Sequence, residues 1–185
     1  MMYIILTFFL AFTTADFITG IIHFIEDTYF TENTLLIGNI IKRNREHHLK
    51  PRLMLNHTTF KTIETSLYLG LFLMFVLYIY KLLNLFSFLL ILSGIFGNLI
   101  HKWAHQMENE KILLTKILQN LYIIQSSYQH SVHHKEPYTK YYCVMGALLN
   151  PLLEKINFWR KMENVIYILF KVNPRDYEFK KNIAN

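Results

Sequence analysis

Apolar residues in this chain gather into three long runs separated by polar stretches. Residues 3–25 (YIILTFFLAFTTADFITGIIHFI), 66–80 (SLYLGLFLMFVLYIY) and 82–100 (LLNLFSFLLILSGIFGNLI) each predict a membrane-spanning helix. At ~1.5 Å per residue the first run covers roughly 35 Å, enough to cross a bilayer with some tilt. No basic segment or small-residue cleavage site accompanies it, which predicts a retained helix rather than a removed leader. Lys81 and Asn84 mark a tight turn, so the second and third runs read as a helical hairpin. The segment 111–125 (KILLTKILQNLYIIQ) is too short and interrupted to span, and predicts an amphipathic helix at the interface. Asn150–Pro151 reads as an N-cap followed by a first-turn proline, opening a helix to about Lys171, before Asn173–Pro174. Phe158 and Trp159 beside Arg160 and Lys161 would set that helix among lipid head groups. The expected fold is all-α and integral to the membrane, a single domain over 1–185. It has about three transmembrane helices plus interfacial amphipathic helices.

Polar residues inside the apolar runs are spaced, not scattered. Asp16, Gly20, His23 and Asp27 follow i, i+4, i+7, i+11, one stripe of a helix, and Gly94, Asn98, His101 and His105 repeat that spacing. An aspartate within a span normally faces a bundle interior or a wet cavity. The stripes are therefore expected to face each other, with Asp16, Gly20, Gly94 and Asn98 lining a substrate channel and a metal site at its mouth. Asp16 and Asn98 are equally compatible with plain interhelical hydrogen bonding.

Charge then supplies a direction. None of the 19 basic residues precedes Lys42; six lie between Lys42 and Lys61, one is Lys81 and twelve follow His101. The positive-inside rule puts residues 26–65 and 101–185 in the cytosol, and the N-terminus and the Lys81 turn outside. The net charge of +6 reads as topology and contact with anionic lipid rather than nucleic-acid binding, because no basic stripe with interleaved aromatics stands apart from the spans. The single cysteine, Cys143, excludes an internal disulfide and any cysteine-rich metal site.

That topology brings all nine histidines to one face: His23, His47, His48, His57, His101, His105, His130, His133 and His134. Imidazole is the commonest side-chain metal ligand, and i,i+3 or i,i+4 spacing aligns two of them on one helical face. Adjacent pairs such as His47–His48 and His133–His134 diverge by about 100° on a helix, so one pair can address two metals. Nine is too many for one tetrahedral zinc and suits two iron ions sharing imidazole ligands. Glu26, Asp27 and Glu46 are candidates to orient ring N–H groups. Incidental clustering and weak zinc binding are the plainer alternatives.

In this order the pieces ADFITGIIHFIEDT (15–28), REHHLKP (45–51), HKWAHQ (101–106), HSVHHKEPYTKYYC (130–143) and LLNPLLEKINFWRKME (148–163) resemble the plasmanylethanolamine desaturase family, including the bacterial CarF proteins. Plant desaturases that make a trans double bond in plastid phosphatidylglycerol look like relatives. Phe24 departs from the family's usual tryptophan. The resemblance implies a lipid desaturase domain and an O2-dependent oxidoreductase with two iron ions. The electron donor would be cytochrome b5 or a ferredoxin-like protein, and Asp27, His105 and His134 would be the catalytic positions. It implies conversion of an alkyl ether phospholipid, plasmanylethanolamine, to its vinyl ether, on the cytosolic side of the endoplasmic reticulum in a eukaryote or of the inner membrane in a bacterium. An acyl-chain desaturase or hydroxylase acting on phospholipid is the nearest alternative; a non-enzymatic membrane metal-binding protein is an alternative of another class.

Overall fold

The computed structural model describes residues 1–174; among these the regular elements are all helical, with a lone antiparallel bridge between Ile124 and Gly146. The helices are α1 (Met2–Tyr29), α2 (Gly38–Leu49), a 3-10 turn (Pro51–Asn56), α3 (Thr59–Ile79), α4 (Leu85–Ala104), α5 (Leu113–Asn120), α6 (Ser127–His133), α7 (Leu149–Lys155) and α8 (Phe158–Phe170). Three of them, α1, α3 and α4, are long and apolar enough to cross a membrane. Each runs further than the hydropathy pattern predicts because polar and histidine-bearing turns continue the backbone hydrogen bonding beyond the apolar run. At 28 residues, α1 is about 42 Å long, so its last turns exceed a hydrocarbon layer of about 30 Å and carry Glu26 and Asp27 toward water.

Small residues set the packing. Gly70 of α3 meets Ile91 and Ile95 of α4, and Ser66 Oγ donates to the Ile95 carbonyl at 2.9 Å across the same seam. The α3–α4 turn is closed by a capping box in which Asn84 and Ser87 exchange side-chain and backbone bonds. Both α1 and α3 pack along α4 rather than along each other. Only Gly70 of α3 is buried, as expected for a helix whose other faces meet lipid.

The segment 142–147 is the keystone between α1 and α4. Asp16 Oδ1 and Oδ2 accept the backbone N–H groups of Met145 and Gly146 at 2.8 and 2.9 Å. A Cβ at Gly20 would lie 2.6 Å from Cys143 Sγ, so only glycine admits this segment there. Asn150 clamps the other side, accepting from Cys143 N–H at 3.1 Å and donating to its carbonyl at 2.7 Å. Ala15, Ile100, Ile124, Val144 and Met145 form one core; Phe24, Tyr142, Cys143, Leu153 and Trp159 form another.

Several expectations need correction. Asn150 lies inside α7 and bonds Cys143 instead of capping a helix, and the expected helix to Lys171 is broken at Asn157, which adopts φ +53°. Trp159 is buried against Phe24 and Tyr142 rather than lying among head groups. In 111–125 only Leu113–Asn120 is helical; it is amphipathic as expected, with Thr115 and Gln119 buried while Leu113, Leu114 and Ile117 face outward. An outward apolar face fits contact with lipid. The final eleven residues of the expected cytosolic segment, 175–185, lie outside the described residues.

Because Asp16 satisfies two buried N–H groups that no water can reach, Asp16→Leu is expected to cost about 3 kcal/mol of stability. Thermal unfolding of the detergent-solubilised protein checks this.

Candidate metal centre

Eight of the nine histidines converge into two adjoining groups at one end of the helical bundle. The first holds His47, His101, His105, His130 and His134; the second holds His23, Asp27, His48 and His133, and within each the donor atoms lie within 4.8 Å of one another. Four elements deliver them. Residues His23 and Asp27 sit one turn apart near the end of α1, and His101 and His105 end α4. The adjacent pairs His47–His48 on α2 and His133–His134 at the end of α6 each send one ring to each group, as the ~100° step of a helix dictates. A capping box between Ser126 and Gln129 fixes where α6 starts, and therefore which face His130 presents.

The separations are those of ligands. In the first group the Nε2 atoms of His101 and His130 are 2.8 Å apart, His105 and His130 2.9 Å, His47 and His105 3.0 Å, His130 and His134 3.0 Å, and His101 and His105 3.1 Å. Two nitrogens bound at ~2.1 Å to one ion at right angles would be about 3.0 Å apart. A neutral imidazole carries one N–H, so five converging nitrogens cannot all be satisfied by hydrogen bonds among themselves.

The second group makes the same point with fixed tautomers. His23 Nδ1–H donates to the Tyr142 carbonyl at 3.1 Å and His133 Nδ1–H to the Lys140 carbonyl at 2.8 Å, leaving each Nε2 as the inward lone pair. These Nε2 atoms are 3.2 Å apart, and Asp27 Oδ2 lies 3.2 Å from His23 Nε2, 3.2 Å from His48 Nε2 and 3.5 Å from His133 Nε2. A proton shared by His23 and Asp27 would satisfy one contact and leave the other imidazoles aimed at the same point. The arrangement calls for positive charge at its centre, and both groups fit a metal ion.

Protonation follows from burial. His130 and His133 are almost fully buried, and burial followed by neighbouring imidazoles holds both well below the ordinary histidine range. The same causes push His47 down to about 2 and His134 to about 3; burial, then His48 and Arg52, lowers His105 to about 4. At neutral pH these rings are neutral, the form that binds metal.

Other residues picked out by sequence are placed differently. His57 is exposed and caps the 3-10 turn; its carbonyl accepts Lys102 Nζ, and its ring joins neither group. Asp16 and Gly20 do not line a channel shared with Gly94 and Asn98, because Cys143 to Gly146 fill the space beside α1. Gly94 faces open space and Asn98 is exposed. Asp27 stands among the donors rather than behind them, Glu26 accepts from Asn44 at 2.7 Å, and Glu46 is exposed. Sequence reasoning missed the carbonyls of Lys140 and Tyr142 and the Tyr138 ring 4.9 Å from His48. Backbone acceptors leave no residue-type signal; the tyrosine-rich run 138–142 is the only trace.

Comparison with known proteins places residues 12–177 within the lipid desaturase domain. A probable fatty acid desaturase of Acanthamoeba polyphaga mimivirus is 36% identical over 173 residues, covering 92% of this chain and 86% of that protein. Plasmanylethanolamine desaturase 1 of Mus musculus is 30% identical over 179 residues, covering 90% of this chain and 66% of that protein. The chloroplastic fatty acid desaturase 4-like 2 of Arabidopsis thaliana is 31% identical over 176 residues, covering 91% and 62%. This chain thus spans a little under two thirds of the mouse and plant proteins. No solved structure matches.

Two donor groups predict about two transition-metal ions per purified chain. His47→Ala should deplete the first group and His48→Ala the second, whereas His57→Ala should leave the content unchanged; elemental analysis of the variants checks this. The depressed imidazoles also set a pH dependence for metal-free protein. Below about pH 6.5 unfolded histidines take up protons that the buried ones refuse, so the thermal midpoint should fall progressively from there toward pH 4.

Proposed function

The chain belongs to the lipid desaturase domain family, and from that premise we propose that it converts an alkyl ether phospholipid, plasmanylethanolamine, to the corresponding vinyl ether. The net reaction consumes O2, two electrons and two protons, forms a carbon–carbon double bond and releases two waters. The observation that carries this reading is the depth of the donor groups. They gather where α1 and α4 end, at the rim of the apolar layer, and not halfway along the spans. A phospholipid in the same leaflet presents its glycerol and the first carbons of its chains at that depth, so the bond beside the ether oxygen is the one within reach.

In this reading the two groups hold two iron ions, which when bound would supply the oxidant that removes hydrogen from unactivated methylene carbons. The donor sets suit iron, being imidazole and carboxylate without thiolate. The protein's own contribution is geometric. The carbonyls of Tyr142 and Lys140 hold the His23 and His133 rings in one tautomer, and the neutral, buried rings exclude water. The alkyl chain lies along the open face of α4 past Gly94 and Asn98, ending at His105 and His134. We assign Asp27, His105 and His134 as catalytic positions, and the electrons to cytochrome b5 or a ferredoxin-like donor at the cytosolic face. The basic excess after Lys42 supports that orientation. The whole chain, 1–185, acts as one lipid desaturase domain.

A phospholipid acyl desaturase acting near the carboxyl end of its chain is favoured by the same depth and is the second reading. A transporter would want ligands near mid-bilayer and approached from both sides, unlike this arrangement.

Expression in a host that lacks vinyl ethers but is supplied with alkyl ether precursors should yield acid-labile plasmalogens. A new acyl double bond without vinyl ether would select the second reading instead. His105→Ala or His134→Ala should lower product by at least about 100-fold while membrane insertion persists; wild-type product from either would remove that residue from the site.

A further inference from the structure

Beside the first histidine group the protein opens a cleft of about 480 Å³ that reaches His105, His130 and His134. Its other walls include Pro51, Arg52, Ala104, Met107 and Glu108, the last paired with Lys111. Arg52 is held at its edge in an unusual way for a surface cation. Its Nη1 and Nη2 donate to Glu110 Oε2 and Oε1 at 3.1 and 2.7 Å, and Glu110 Oε2 also accepts the Met107 N–H at 2.8 Å. The guanidinium has five N–H donors, so this fork commits two and leaves three. About half of the Arg52 side chain remains exposed. The cleft therefore joins candidate metal ligands, an apolar wall and a pre-oriented cation with spare donors.

Resting on the phospholipid reading above, we propose that this cleft seats the glycerol backbone and phosphodiester of the substrate, with Arg52 binding the phosphate and Glu110 positioning the guanidinium. The chemistry of the substrate demands such a neighbour. In a glycerophospholipid the ether oxygen and the phosphate hang on one three-carbon backbone, so a chain whose first carbons lie at His105 brings its phosphate to the next polar feature outward. Along the chain from His105 that feature is the 106–110 loop with Arg52 over it. Planar, fork-like donors match phosphate oxygens better than an ammonium does, and the pairing with Glu110 fixes the fork before the lipid arrives. Pro51, Ala104 and the Met107 side chain take the glycerol carbons and first methylenes, which want no polar partners. Glu110 touches no substrate; its role is to hold Arg52.

The probes are 1-O-alkyl-2-acyl-glycerophosphoethanolamine and the same ether lipid without its phosphate, added to detergent-solubilised protein, with retention measured by native mass spectrometry. Wild-type protein should retain the phospholipid at least about 10-fold better than the phosphate-free lipid. Arg52→Gln should abolish that preference, Glu110→Gln should weaken it, and Arg43→Gln, at an exposed position elsewhere, should leave it intact. Equal retention of both lipids by the wild type overturns the proposal without recourse to variants, and so does an undiminished preference in a folded Arg52→Gln protein. Displacement of the phospholipid by millimolar inorganic phosphate would mean an adventitious anion site only and also overturns it. Because retention is read without turnover, lipid held through Arg52 together with no new double bond in the expression host would refute the desaturase reading and leave this site standing.

Discussion

Electron pairs aimed at a common point impose the constraint that everything else in this fold answers to. Eight imidazoles and one carboxylate are gathered so that candidate ligand atoms face one another, the nearest pairs at about 3 Å. Left alone, such a cluster repels itself and strands buried polar atoms. It persists because four separate elements are locked from behind, and a cation held at each centre would convert repulsion into bonding. Metal binding and folding are then the same free energy seen from two sides.

The locks work over long sequence separations. Asp16, deep in α1, holds Met145 and Gly146; Asn150 holds Cys143; Tyr142, just before them, accepts from His23 about two turns further along α1. A buried carboxylate remote from the histidines thus sets the tautomer of one of them. Such an arrangement explains why a polar group is tolerated inside an apolar span: each of its two oxygens accepts a buried backbone N–H. The close approach needed for this is granted by Gly20, whose missing side chain is the space that Cys143 occupies.

Much of the architecture was legible in the residues because its causes are local. Three spans follow from hydropathy, the hairpin from Asn84, and the split of His47–His48 and His133–His134 between two directions from the helical step. What escaped has nonlocal causes. Asp16 and Gly20 share a stripe with His23, and the stripe pattern cannot tell a lipid channel from a seat for the chain's own 142–147 segment. Asn150 before Pro151 has the form of a helix cap, but its side chain is claimed by Cys143. His57 follows the same basic segment as its fellows, yet the 3-10 turn after Pro51 carries its ring away from them. The break at Asn157 has no counterpart in hydropathy, since a single left-handed residue leaves the apolar spacing nearly undisturbed.

The outward apolar faces of α5 and α8 (Leu113, Leu114 and Ile117 on one, Ile168, Leu169 and Phe170 on the other) have a kinetic meaning. On the proposed function they would sink the histidine-bearing cap into the leaflet, so that a substrate would arrive sideways, by diffusion in two dimensions, without leaving its own monolayer. The relevant concentration is then a mole fraction in the bilayer and not a molarity in the cell. Diluting the reactive lipid among inert neighbours would then slow turnover as surely as removing it, and the encounter rate would follow the fluidity of the surrounding lipid.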